Sequence, residues 1–129
     1  MKKLLLVLSV LFLTACNTAV TYSGNKEKIT INHEQDNITT VSIRAEYPLG
    51  EVHDAETIRT DYIKVLNNIY GENSVKDVKV TIQDSKVMSV TVLDFRTIKD
   101  LTVFGITSKY PSLREFEQFL QKSGFTRKG

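Results

Sequence analysis

Few side chains in this 129-residue chain are of a kind that does chemistry: one cysteine, Cys16, and two histidines, His33 and His53. Cys16 follows Leu13-Thr14-Ala15, so a thiol stands directly after two small residues. Small residues let an extended segment enter a narrow protease site, and the thiol is a nucleophile for lipid attachment. Ala15–Cys16 is therefore the expected cleavage point, and Cys16 the expected acylated N-terminus. Acylation consumes the only thiol, leaving no disulfide, thiolate metal ligand or cysteine nucleophile. His33 sits beside Glu34 and Asp36, and His53 beside Glu51, Asp54 and Glu56. Each is at most half a metal site, since zinc takes about four protein ligands when structural and about three when catalytic. Solvated histidines are expected, with no metal. The glycines at 24, 50, 71, 105, 124 and 129 are isolated, so no phosphate-cradling loop is present. Carboxylates are interleaved with Lys and Arg, the pattern of a solvated surface rather than of an acid–base pair. The expectation is a non-enzyme with no catalytic residues and no cofactor.

What precedes Cys16 gives it an address. Lys2 and Lys3 form a basic head, and Leu4 to Leu13 is an apolar run broken only by Ser9. A run of about ten residues falls far short of the roughly twenty that span a hydrocarbon core. Residues 1–15 read as a cleaved export signal. The box around Cys16 resembles that of bacterial lipoprotein precursors. The resemblance implies a lipid-anchored, palmitoylated protein on the extracytoplasmic face of a bacterial membrane, because two or three acyl chains hold stably where one does not. Cleavage also removes Lys2 and Lys3, so the excess of 17 basic over 15 acidic residues becomes 15 against 15. A neutral, mixed surface argues against nucleic acid and against a polybasic membrane patch.

The elements that must carry any site follow. Residues 16–27 are small, polar and unpatterned, and read as a lipidated N-terminus and flexible tether. The remaining stretch, 28–129, is long enough for one domain, expected to be monomeric. Ile29 and Ile31 alternate with polar neighbours, and so do Val41, Ile43, Ala45 and Tyr47, predicting a hairpin across Glu34–Asn37. From Asp54, a plausible N-cap, Ala55, Ile58, Tyr62, Val65, Leu66, Ile69 and Tyr70 recur at helical spacing up to Gly71. A second hairpin pairs Val78, Val80 and Ile82 with Met88, Val90 and Val92, turning at Asp84-Ser85-Lys86. Leu93 and Phe95 fall on the opposite face, which suggests a bulge or a second covered face. Phe95, Ile98 and Leu101 suggest a helical turn, and Val103–Ile106 fits either a strand or a buried loop. Ser112-Leu113-Arg114-Glu115 is a capping box that opens a helix with Leu113, Phe116, Phe119 and Leu120 inward and Gly124 at its end. The expected core is Ile31, Ile43, Ile58, Tyr62, Leu66, Ile69, Val80, Ile82, Val90, Val92, Leu113, Phe116 and Leu120.

The fold expectation is thus α+β: a two-layer sandwich, with an antiparallel sheet of two hairpins, about four strands, and helices on one face. The two N-terminal strands, the helix, the strand pair closing on Asp94-Phe95 and the ending Phe119-Leu120-Gln121-Lys122-Ser123-Gly124-Phe125 resemble the YehR-like bacterial lipoproteins. That resemblance implies the fold and the anchor; it brings no catalytic or binding residue. Two functions compete. One is a non-catalytic envelope interaction module, held to the membrane through lipid on Cys16 and docking an envelope protein or polymer. The other is a small-ligand binder with a pocket between sheet and helices.

Overall fold

The computed structural model describes residues 18–128. The expected export signal 1–15, with the expected cleavage at Ala15–Cys16 and lipidation of Cys16, lies outside the described residues.

Alternation of β-branched and polar residues builds a sheet of six strands, not four. They are β1 (Thr18–Gly24), β2 (Glu27–Glu34), β3 (Asn37–Pro48), β4 (Val75–Gln83), β5 (Lys86–Asp94) and β6 (Thr126–Lys128). Their spatial order is β4-β5-β3-β2-β1-β6, with every pair antiparallel. Helix α1 (Ala55–Tyr70) links β3 to β4, a 3₁₀ turn (Leu101–Phe104) follows β5, and α2 (Leu113–Lys122) precedes β6.

Both additional strands are corrections to the two-hairpin expectation. β1 occupies Thr18–Gly24, inside the stretch read as tether, and pairs with β2 along its whole length from Thr18↔His33 to Gly24↔Glu27. Asn25 and Lys26 close that hairpin with φ of 49° and 64°, the left-handed pair that a two-residue turn requires. Only Val20 and Tyr22 carry β1's apolar phase, too few to stand out among Thr, Ser and Asn. Both are buried, and Tyr22 is wholly so. β6 has three exposed polar residues and no hydrophobic pattern; it exists because the chain leaving α2 meets the free edge of β1 at Tyr22↔Arg127.

The face chosen by the second hairpin is the other correction. Val-Met-Ser-Val-Thr-Val-Leu places comparable apolar bulk on both faces of β5. Register decides between them: Leu93 stands opposite Val41 and Thr91 opposite Ile43, so Val87, Ser89, Thr91 and Leu93 are buried. Met88, Val90 and Val92 point the other way and are only half-buried, and Val80 and Ile82 at the sheet margin are also half-buried. In α1 only Leu66 is fully buried. Ile58 and Tyr62 are half-buried, whereas Ile69 is 56% exposed and Val65 52%. The helix lies over β4, at the margin of the sheet, where only a narrow strip of it is covered.

The core joins Val20, Tyr22, Ile29, Ile31, Val41 and Leu93 from one face of the sheet to Phe104, Ile106, Phe116 and Leu120. Phe95 contacts Phe104 and Phe116 at ring-centroid distances of 4.6 and 5.2 Å. The helical turn suggested near Phe95–Leu101 forms slightly later, as the 3₁₀ turn, capped by Asp100 accepting from the Thr102 N–H. Gly105 closes it at φ 75°, and a Cβ there would lie 2.7 Å from Phe119 Cβ, so the position has no room for a side chain.

Candidate functional site

The sequence-derived candidates are not brought together. His33 Nδ1 lies 2.9 Å from the Gln35 carbonyl oxygen, while its buried Nε2 has no partner. His53 is exposed in the loop before α1. Among the described residues no three His, Cys, Asp or Glu side chains are grouped to hold a metal ion.

Buried polar groups instead fasten loops to the sheet. Asp94, 3% exposed at the end of β5, accepts from the Arg96 guanidinium at 2.9 and 3.1 Å and from the Arg96 N–H at 3.0 Å. Lys76 Nζ adds a contact at 3.8 Å. Those Arg96 hydrogen bonds outweigh burial and hold the Asp94 carboxyl below its ordinary value. Asp36 in the β2–β3 turn accepts from the Tyr110 and Ser112 hydroxyls and the Arg114 N–H, tying the turn to the start of α2. Burial pushes its pKa up, and these three donors more than reverse that. The capping box forms in part. Ser112 Oγ accepts from the Glu115 N–H at 3.3 Å, but the Glu115 carboxylate turns to Ser108 and Thr107 rather than back to Ser112.

The surface that remains unexplained by folding is the sheet face turned away from the helices. Alternation puts Thr21 and Ser23, Lys28 and Thr30, Ser42 and Arg44, Val90 and Val92, and Lys79 on it. Register arranges part of this set into one row across the strands. Lys79 stands opposite Val90, Val90 opposite Arg44, Arg44 opposite Lys28, Lys28 opposite Ser23, and Ser23 opposite Thr126. Strands are about 4.8 Å apart, so Lys79, Arg44 and Lys28 span roughly 15 Å. All three are exposed, as is Lys128 one step from the row on β6. Among the described residues none of these four cations has a carboxylate within 4.0 Å. Two shallow grooves cross the same face. One, of about 280 Å³, is lined by Lys26, Glu27, Lys28, Arg44, Ala45, Glu46 and Met88; the other, of about 470 Å³, by Thr21, Ser23, Lys28 and Lys128. Lys28 borders both.

The alternation of apolar residues leaves Arg44, between Ile43 and Ala45, and Lys79, between Val78 and Val80, in the polar phase of their strands. It does not show the row. Phase is legible in one strand at a time, whereas a row requires the register between strands.

In overall architecture the chain is similar to the E. coli YehR protein, known from an NMR structure. The TM-score is 0.53 at 16% sequence identity, over 88% of this chain and 91% of that one. The fold is YehR-like. No family model matches the chain, and no curated protein matches it.

Proposed function

We propose that this chain is a lipid-anchored extracytoplasmic protein of the YehR-like lipoprotein group, and that it acts as a non-catalytic interaction module in a bacterial envelope. The observation that carries the docking part is the bare sheet face, grooved and mixing cations and hydroxyls with Met88, Val90 and Val92, opposite a face buried under helices. The anchor rests on the Leu13-Thr14-Ala15-Cys16 box and the apolar run before it. The space between sheet and helices is filled by Tyr22, Ile31, Phe95 and Phe116, each at most 2% exposed, which favours docking on the outside over a ligand held within. An anchored domain meets a partner on the same membrane at high effective concentration, so weak docking suffices.

Two measurements on the full-length protein test this. Intact mass is expected to show residues 1–15 removed and acyl chains on Cys16, with Cys16→Ala lost from the detergent phase; a retained Met1 or an unmodified Cys16 rejects the anchor. A photo-crosslinker at Thr30 or Ser42, on the bare face, is expected to capture envelope material that one at Lys64, on α1, does not. Capture through Lys64 alone rejects the docking face.

A further inference from the structure

We infer that the bare sheet face binds a linear anionic polymer laid across the strands, along the row Lys79, Arg44 and Lys28. This deepens the docking reading and rests on it. The face carries few opposing charges. Glu46 is engaged by Lys86 at 3.1 Å, and Asp94 by Arg96 and Lys76; among the described residues Asp77 on the face and Glu27 at the rim of the Lys28–Arg44 groove are carboxylates without an ion pair. Among the described residues Lys28, Arg44 and Lys128 have no ion-pair partner and border a shallow path that Lys28 joins into one, with the hydroxyls of Thr21 and Ser23 beside it; Lys79, also without one, extends the row beyond the path. A row of about 15 Å matches an extended chain of repeating phosphates better than a single small anion, because only a chain meets several of the cations at once.

A bilayer is the competing occupant, and two observations disfavour it. Faces that seat on lipid present exposed apolar or aromatic side chains to the interface. Here the exposed large ones, Tyr47, Val52, Val65, Ile69, Val103 and Tyr110, are all off this face. The row also crosses β1 at Ser23, five residues and so about 17 Å along the strand from Thr18, where the chain leads back to Cys16.

The test uses full-length protein in detergent, with inorganic polyphosphate of graded length as probe. Orthophosphate, a single-stranded oligonucleotide and phosphatidylglycerol vesicles serve as the other arms. Affinity is expected to rise with polyphosphate length and to fall with salt. Replacing Lys28, Arg44 and Lys79 together by Gln is expected to weaken binding about tenfold or more and to lower the log–log salt slope by about 2, at roughly 0.7 per phosphate contact. Lys64→Gln with Lys122→Gln, on the two helices, is expected to change neither, and Asp77→Asn to tighten binding. All the substituted positions are exposed, and an unchanged circular dichroism spectrum confirms the fold. Equal loss in the helix variants, full competition by orthophosphate, preference for the oligonucleotide, or binding to vesicles without binding to polyphosphate would each overturn the inference. Crosslinks at Thr30 or Ser42 without polyphosphate binding reject the polymer alone. Crosslinks confined to Lys64 reject the docking reading beneath it.

Discussion

Carboxylates at the loop end of the sheet act as acceptors that gather donors from distant parts of the chain. Asp36 takes three, from Tyr110, Ser112 and Arg114, and Glu115 takes the Thr107 N–H together with the Thr107 and Ser108 hydroxyls. The Ser108 hydroxyl, then the Thr107 N–H and hydroxyl, hold the Glu115 carboxyl down at about 2. A carboxyl with a lowered folded-state pKa binds its proton less readily than in the unfolded chain. Its stabilisation is therefore complete above the ordinary value and is lost as pH falls towards the lowered one. For Glu115 that window runs from 4.5 down to about 2. Glu115→Gln keeps the shape and removes the titration. Its melting temperature is expected to lie below that of the parent at neutral pH, with the gap closing across this window. A gap that stays constant with pH would show that charge at Glu115 contributes nothing.

The element that most changes the picture is β1. In a tether Tyr22 would be dispensable; in β1 it is wholly buried, and its hydroxyl donates to Glu117 on α2. Burial first, and Glu117 second, raise the Tyr22 pKa to about 12, so the phenol stays a donor at any ordinary pH. Tyr22→Ala is expected to cost about 3–5 kcal/mol, as large aromatic-to-alanine changes in cores do. Ile69→Ala in α1, where the side chain is 56% exposed, is expected to stay within about 0.5 kcal/mol despite its place in the helical apolar pattern. Chemical denaturation of the two variants measures the contrast. Equal effects would mean either that β1 is not part of the cooperative unit or that α1 is covered on its outer side.

At the scale of the whole molecule, β1 shortens the link to the membrane that the proposed anchor on Cys16 would make. Only Asn17 lies between Cys16 and Thr18, a reach of about 7 Å between Cα atoms at most. An acylated Cys16 therefore holds the end of the sheet that carries Thr18, His33 and the Gln35 turn against the bilayer, with the Asp84–Ser85 turn at the opposite end. Fluorophores at Gln35 and at Asp84 in the anchored protein are expected to be quenched unequally by brominated lipid, Gln35 more strongly. Equal quenching would indicate a domain lying flat, and with it a bilayer on the bare face. In the upright arrangement the row of cations runs parallel to the membrane, open to a polymer passing alongside.

The sequence by itself determined the elements whose signal is local. The Ser112 cap and the inward phase of Phe116 and Leu120 made α2 readable, a run of some sixteen periodic residues made α1 readable, and strict alternation made β2 and β3 readable. The proposed acylation of Cys16 also rests on a local message, thirteen apolar and small residues and two lysines, and the intact-mass measurement decides it. Tertiary structure alone decided what depends on partners. β1 and β6 have too few apolar residues to announce themselves, and each is a strand because a neighbour's free edge supplies its hydrogen bonds. β5 offers two similar faces, and its register against Val41 and Ile43 chose between them. The near-balance of 17 basic and 15 acidic residues is a count, and charge counts carry no positions. Register across four strands sorted Lys79, Arg44 and Lys28 onto one face, because a strand's side chains alternate by two and its neighbours fix the phase.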